Sequence, residues 1–434
     1  MQQQTLTENH LSGRLLTLSV LCGLAAGLMA VAYRFALSQA ELLWAAAVDF
    51  ARAHGAPGVA GWFLVLAALS LCVRQLLRLE PLISGSGIPQ FEGEVTGQLH
   101  ARWLRVLLCK ALGGILCVFG GLSLGREGPS VQLGAMAAKG IAGAGKFGRQ
   151  HQHLLITCGA SAGLAAAFNA PLAGVLFALE EVHKTFSPAM LISAMTAATV
   201  ADCVSKFFFG TATVFSFPLA VPLSLRYYGL VILIGLLTGA AGGLYNHCTL
   251  GAMKVCGRVP ERVRMLLPFC AAGLLGFTLP QVLGGGHRMI ELLNQGSLAL
   301  GGLLALLLIK FLFSLLSFCS GAPGGIFFPL LVLGAYLGAA FSQAVSLFGV
   351  SPIYFNNFII LGMLGMFVAI VRAPITGIVL ILEMTGSFSH LPSMTAVAAI
   401  AYLTAAALRA APIYDSLLER ILKKRASAPR EAKI

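Results

Sequence analysis

Long apolar segments recur along almost the whole chain, and they restrict its possible folds more than any other feature. Residues 15–33, 59–73, 227–244 and 298–318 contain no charged side chain apart from Lys310. A helix needs about 20 residues to cross roughly 30 Å of hydrocarbon, and roughly ten segments approach or reach that length. The sequence therefore predicts an all-α integral membrane protein.

Composition excludes a soluble globular domain. Hydrophobic residues make up 58% of the chain, charged residues 10%, and the mean hydropathy is +0.87. The first apolar segment continues past Ala32 without a small-residue cleavage pattern, which favours a membrane helix over a signal peptide. The ten cysteines show no C-x-x-C spacing, so we expect packing roles and no metal site.

The net charge of +13 indicates topology in a membrane protein. Basic residues cluster in segments 139–149, 254–264 and 420–433, and the positive-inside rule predicts that all three lie on the cytoplasmic side. We find no basic patch interleaved with aromatic residues, so no nucleic-acid partner is expected.

A weak internal repeat divides the chain into two halves. Residues 125–135 align with 325–335, and residues 170–180 align with 373–383, at offsets of 200 and 203. Two matches at nearly equal offsets predict a duplication, with halves at 1–213 and 214–434 joined near residues 215–222. The matches leave open whether the halves are inverted.

Three segments place glycine and proline directly before an apolar stretch: residues 85–89, 125–129 and 324–329. This pattern indicates helices that begin inside the membrane. The first N–H groups of such helices lack internal partners and carry partial positive charge, which favours an anion site. Close packing through small residues explains most of the 50 glycines, but proline at the helix start favours the anion site.

The candidate ligands are neutral donors and one carboxylate. The hydroxyl of Ser86 and the amides of Ile326 and Phe327 could hold an anion without trapping it. Glu127 would occupy the position of a free anion, and its protonation would vacate the site and couple protons to anions. The alternative for Glu127 is a helix-dipole partner or an ion pair with Arg126.

Other charged residues allow two interpretations each. Glu180 and Glu181 close an apolar stretch, where they could accept protons or form an interfacial ion pair with Lys184. Lys110 lies within an apolar segment, where it could raise the local positive potential or snorkel to the membrane surface.

The C-terminal segment predicts an amphipathic helix at the cytoplasmic surface. One face carries Leu417, Leu418, Ile421 and Leu422, and the other carries Arg420, Lys423 and Lys424. Tyr414 precedes this pattern and could donate its hydroxyl to an anion or anchor the chain at the interface.

These motifs, together with residues 165–174, resemble the CLC family of chloride channels and proton-coupled chloride transporters. The resemblance implies an inverted repeat of many tilted and broken helices, assembled as a homodimer with one pore per subunit. It further implies a bacterial plasma membrane with both termini cytoplasmic, and chloride and protons as substrates without a cofactor. The chain ends at Ile434, so the paired nucleotide-binding domains of eukaryotic members are not expected.

The resemblance also implies residue roles. Hydroxyls of Ser86 and Tyr414 and amides of Ile326 and Phe327 bind chloride, Glu127 is the external gating glutamate, and Glu181 is the internal proton-transfer glutamate. Because channels of the family usually lack the internal glutamate, we expect a chloride/proton antiporter, with a passive chloride channel as the alternative.

Three further points bear on this expectation. Ser86 is similar to chloride-selective members, whereas nitrate-preferring relatives carry Pro there and fluoride exporters Asn. Gln90 departs from the Glu of well-known bacterial relatives, and Glu92 could substitute for it. An intramembrane enzyme would need a histidine beside Ser86, and because the histidines lie near the polar edges of the apolar segments, we expect no enzyme.

Overall fold

The structure is a computed structural model that describes residues 13–145, 148–215, 217, 221–296, 298–386 and 388–426. Within these residues the chain forms seventeen α-helices and no β-strand, with two isolated bridges between loops. The all-α prediction is confirmed. The predicted junction at 215–222 lies partly outside the described residues, as do the basic residues beyond 426.

The first eight helices precede the junction. They are α1 (Gly13–Ala53), α2 (Gly55–Leu79), α3 (Ile88–Val95), α4 (Trp103–Phe119), α5 (Glu127–Ala144), α6 (Arg149–Phe168), α7 (Pro171–Phe177) and α8 (Pro188–Phe209). A π-helical turn, Ala178–His183, extends α7.

Nine helices follow. They are α9 (Tyr228–Cys256), α10 (Glu261–Thr278), α11 (His287–Asn294), α12 (Leu300–Cys319), α13 (Phe327–Ser346), α14 (Phe355–Val371), α15 (Pro374–Thr385), α16 (Leu391–Ala407) and α17 (Ile413–Ala426).

Eight helical spans of the described residues are long and apolar enough to cross a membrane, fewer than the ten or so expected. The difference arises because Gly and Pro cut several apolar segments into short helices such as α3, α7 and α15. With 41 residues, α1 is about 60 Å long, twice the hydrocarbon thickness, so it must tilt or project.

The helices form an inner layer and an outer, lipid-facing layer. In the apolar 18-residue stretches of Phe327–Ser346 and Pro352–Val371, 83% of the residues are buried, whereas in that of Gly55–Leu79 28% are buried. Glycine permits the tight inner packing: a Cβ at Gly134 would lie 2.2 Å from the carbonyl of Gly159, and one at Gly334 would lie 2.5 Å from that of Gly362. Gly134 and Gly334 are equivalent in the repeat, so both halves use the same device to join two helices.

A reciprocal contact settles the relative direction of one repeated helix pair. Glu180, after α7, accepts hydrogen bonds from the amides of Ile375 and Thr376 at the start of α15, at 3.1 and 2.7 Å. Glu383, near the end of α15, accepts from the amides of Leu172 and Ala173 at the start of α7, at 3.1 and 2.8 Å. Each helix end caps the other helix start, so α7 and α15 run antiparallel.

Candidate anion-binding site

The three predicted helix starts meet at one place. Helices α3, α5 and α13 begin within the three Gly/Pro segments, at Ile88, Glu127 and Phe327. The amide of Gly324 donates to the carbonyl of Gly85 at 3.0 Å, and Gly125 and Gly325 exchange two hydrogen bonds of 2.7 Å. Backbone pairing between the loops therefore holds the three helix starts together.

Ser86 lies at the centre of this junction and is 2% exposed. Its Oγ atom lies 3.4 Å from the amide nitrogen of Ile88, and a Cβ at Gly128 would approach that Oγ to 2.5 Å. Gly87, with a φ of +97°, supplies the left-handed turn that lets α3 begin immediately afterwards. The serine hydroxyl thus lies between the starts of α3 and α5.

Tyr414, in the first turn of α17, is fully buried, so it is not an interfacial anchor. Its hydroxyl faces that of Ser86 but has no hydrogen-bond partner among the described residues. Its ring contacts Phe177 edge-on at a centroid distance of 6.2 Å, and Phe177 contacts Phe327 at 6.0 Å. Aromatic packing therefore positions a hydroxyl whose hydrogen is available to an anion.

The start of α13 completes the group of donors. Ile326 is the N-terminal capping residue, and both it and Phe327 are fully buried. The ring of Phe327 packs between Phe168 and Phe367, each at a centroid distance of 5.0 Å. The first amides of a helix have no intrahelical acceptor, so these two can serve an anion.

Glu127 begins α5 and is 1% exposed. Its Oε2 atom has no hydrogen-bond partner among the described residues, and the amide of Phe328 at the start of α13 faces the carboxylate. The Nε atom of Arg126 lies 3.9 Å from Oε1, so the alternative of an ion pair with Arg126 is present as a long contact beside the helix start. The carboxylate occupies a helix start, as an anion would.

Glu180 and Glu181 have different environments. Glu180 caps α15, whereas Glu181 is 5% exposed and its Oε1 atom has no partner in the described chain. Lys184 donates hydrogen bonds to both oxygens of Asp415, at 2.8 and 3.0 Å, rather than to either glutamate. The alternative of an ion pair with Lys184 is therefore not formed, because Lys184 pairs with Asp415 and lies only within electrostatic range of Glu181.

Tyr414 lies near both candidate proton sites. Tyr414 lies within electrostatic range of both Glu127 and Glu181. The sequence pattern gave no sign of this, because the three residues belong to α5, the turn after α7, and α17. The structure brings together all six residues predicted for the site; their roles stay predictions.

Two buried lysines support the loops, and their role was not predicted. Lys110 donates to the carbonyls of Ile83 and Gly85, at 2.9 and 2.5 Å, immediately before Ser86. Snorkelling is excluded because the side chain is fully buried. Lys310 makes the equivalent contacts to the carbonyls of residues 282 and 284, at 2.9 and 2.8 Å. Lys110 and Lys310 are separated by 200 residues, the offset of the internal repeat, and this was the sequence signal that could have predicted their equivalent roles.

Glu92 does not take the place of the glutamate that well-known bacterial relatives carry at the position of Gln90. Gln90 lines the cavity below Ser86 and donates to the carbonyl of Ser84 at 2.7 Å, a bond that a carboxylate could not make. Glu92 is buried and lies within electrostatic range of Asp415 and Lys184. Glu92 therefore belongs with the acidic residues near Glu181.

No histidine of the described chain hydrogen-bonds to Ser86, whose Oγ accepts from Ile88. The ring of His287, at the start of α11, stacks on Phe328 at a centroid distance of 4.0 Å. This geometry gives no support to a serine nucleophile activated by a histidine.

The arrangement matches known proteins in sequence and in three dimensions. The family model described as "Voltage gated chloride channel" matches residues 61–406. A slow cyanobacterial Cl⁻/H⁺ antiporter has a TM-score of 0.91 at 29% identity, with 96% of this chain and 99% of that chain covered. A CLC-type fluoride/proton antiporter has a TM-score of 0.78 at 25% identity, covering 92% and 96%.

A eukaryotic CLC transporter shares the fold, with a TM-score of 0.78 at 22% identity. The alignment covers 94% of this chain and 74% of that chain. The fold is therefore that of CLC transporters.

Proposed function

Because this chain belongs to the voltage-gated chloride channel family, we propose that it exchanges chloride for protons across a membrane. The observation that carries the proposal is the placement of Glu127. Its buried carboxylate lies at the start of α5, and the amide of Phe328 at the start of α13 faces it. A titratable anion thus occupies a place suited to the transported anion.

Anion binding would use the neutral donors. Chloride held by the Ser86 and Tyr414 hydroxyls and the amides of Ile326 and Phe327 would exchange water for fixed partial charges. None of these donors is a cation, so the ion can leave again. Protonated Glu127 would no longer compete for the helix start, and chloride could then pass.

Proton movement would use a separate entrance. Glu181 has an unpaired carboxylate oxygen and lies within electrostatic range of Tyr414, as does Glu127. Protons entering at Glu181 would pass towards Glu127, while chloride would pass Ser86. This separation supports exchange over passive conduction. The antiporters among the structural relatives support the same choice.

Sidedness follows from the basic clusters. Arg420 of α17 donates to the carbonyl of Met253 at the end of α9, and Arg264 lines the same cavity. Lys139 donates to Glu94 and to the carbonyl of Ala101, beside that cavity. All three predicted clusters thus have members at one face, which we propose is cytoplasmic.

We propose a homodimer in a bacterial plasma membrane, with both termini cytoplasmic and one pathway per subunit. Near the start of α1, Leu15 packs in one cluster with Leu154 and Leu155, which lie near the start of α6. Helix α6 follows the basic segment 139–149, which we propose is cytoplasmic, so this contact supports a cytoplasmic N-terminus. Transport needs no resident cofactor in this proposal, because side chains and backbone amides supply every donor. Photobleaching of single labelled particles would count the subunits.

The test of exchange is uphill proton movement in proteoliposomes. A chloride gradient imposed on wild-type protein should drive protons against their own gradient. Glu181→Gln should stop proton movement while chloride flux continues, because the amide cannot take up a proton. The matched control is Glu180→Gln, which changes the neighbouring carboxylate that caps α15 and should stay coupled.

Chloride flux without proton movement in the wild type would overturn exchange and leave a passive channel of the same fold. If Glu181→Gln stayed coupled, the proposed proton entrance would be wrong although exchange would stand.

A further inference from the structure

A large cavity lies on the face that carries α17. It has a volume of about 910 Å³ and reaches Gly85, Ser86 and Pro89 at its inner end. Small-molecule sites typically occupy about 300–1,000 Å³. The cavity therefore has room for a ligand much larger than a chloride ion.

The lining of this cavity is strongly basic. Four segments contribute to it: the loop before α4, the first turn of α4, α10 and α17. Its basic residues are His100, Arg102, Arg105, Arg264, Arg420, Lys423, Lys424 and Arg425, and its acidic residue is Glu80. Like charges at this density repel one another unless counter-ions occupy the space between them.

Two of these cations are not committed to protein partners, whereas Lys423 is paired with Glu419. Arg105 is paired with Glu80 at 3.9 Å, and Arg420 donates to the carbonyl of Met253 at 2.6 Å. In contrast, the buried Nε atom of Arg264 has no hydrogen-bond partner in the described chain. Arg102 lines the same space, is exposed, and makes no ion pair with the residues that the structure describes. Two guanidinium groups thus remain available inside the cavity.

We propose that this cavity binds a group of several linked or clustered phosphates, held by Arg102 and Arg264, and that the bound group blocks the chloride path below Ser86. The planar guanidinium fork matches phosphate oxygens in bidentate geometry, whereas chloride offers no such match. A multiply charged anion also neutralises more of the basic lining than one halide can. The block of the chloride path rests on the proposed function, whereas the binding of the phosphate group does not.

The phosphate group could come from a soluble oligophosphate or from a lipid headgroup. Both present the same oxygens to the arginines. The helix α17 buries Leu417 and Leu418 in the protein and places Arg420, Lys423, Lys424 and Arg425 at the cavity, on the face that we propose is cytoplasmic. The experiment therefore includes one arm for each source.

Direct binding is tested by calorimetric titration of the purified full-length protein with tripolyphosphate. The double variant Arg102→Gln/Arg264→Gln should bind about a hundredfold more weakly, since each charge-assisted contact contributes about a factor of ten or more. Arg226→Gln is the matched control, because Arg226 is exposed and does not line the cavity. Equal affinity in the double variant and the wild type would overturn the site.

Block is tested by chloride current in planar bilayers with tripolyphosphate added to either face. Inhibition from one face, weakened in the double variant, is expected. Equal inhibition by sulfate at the same ionic strength would reduce the effect to charge screening and overturn the proposal.

The lipid arm compares bilayers of phosphatidylcholine with and without phosphatidic acid. Slower transport with phosphatidic acid in the wild type, but not in the double variant, would identify a lipid headgroup as the source and support the site. Inhibition by soluble tripolyphosphate alone would identify a free phosphate. If the protein bound tripolyphosphate but carried no chloride at all, the proposed function would fail while the binding site would stand.

Discussion

The two halves share a support and differ in chemistry. Lys110 and Lys310 hold two loop carbonyls each, and both loops lead into a short helix. Ser86 follows the first loop, whereas Gly285 occupies the equivalent position after the second loop. The two equivalent loops therefore share the lysine support, and only the loop before α3 adds a hydroxyl to it.

The long inner helices α5 and α13 also have equivalent positions but different chemistry. Glu127 and Phe327 occupy equivalent positions at the starts of α5 and α13, 200 residues apart. One half supplies a carboxylate that can gain a proton, and the other supplies fixed amides and an aromatic ring packed between Phe168 and Phe367. The two equivalent helix starts thus differ, since one carries a titratable group and the other carries only backbone amides and a packed ring.

The largest expected effect comes from removing the acid that distinguishes the halves. Glu127→Gln should abolish proton transport while chloride flux persists, because the amide stays neutral and no longer competes with the anion. Simultaneous recording of chloride and proton flux measures this. Glu291→Gln, which alters an exposed carboxylate on α11, should behave as wild type. Coupled proton movement in Glu127→Gln would show that the gating acid lies elsewhere.

The second prediction compares the equivalent lysines. Lys110→Met and Lys310→Met should each destabilise the protein by about 3 kcal/mol, since two charge-assisted hydrogen bonds are lost and their carbonyls stay buried. Thermal unfolding in detergent should show similar shifts for the two variants.

Chloride binding should separate these two variants. Lys110→Met should weaken calorimetric chloride binding by about tenfold or more, because its loop carries Ser86, whereas Lys310→Met should change it far less. Equal losses of chloride affinity would mean that the second loop also serves the anion.

The smallest effect should come from the reciprocal caps. Glu180→Gln and Glu383→Gln each remove the charge from a carboxylate that accepts two backbone amides at a helix start, which should cost about 1 kcal/mol. Glu180 also accepts from the hydroxyl of Thr376 at 2.7 Å, so its replacement should lower the unfolding temperature slightly more. A larger drop in unfolding temperature for Glu383→Gln than for Glu180→Gln would contradict this prediction.

Several features of the fold and site could be predicted from sequence because they are local. Glycine and proline before apolar stretches identified the starts of α3, α5 and α13, since proline favours the first turn of a helix. The partners of Glu180 and Lys184 could not be predicted in this way. They lie 195 and 231 residues away along the chain, and charge and spacing alone do not indicate which partner is closest.

The sequence by itself determined the membrane class, the helical content and the repeated helix starts, because these depend on the length of apolar segments and on backbone restrictions at Gly and Pro. Only the tertiary structure decided that α7 and α15 run antiparallel, that buried lysines hold the loops, and that Lys184 pairs with Asp415. These features depend on contacts between segments that are distant in sequence. Burial removes water as a competing partner there, so each polar group must form its hydrogen bonds within the protein.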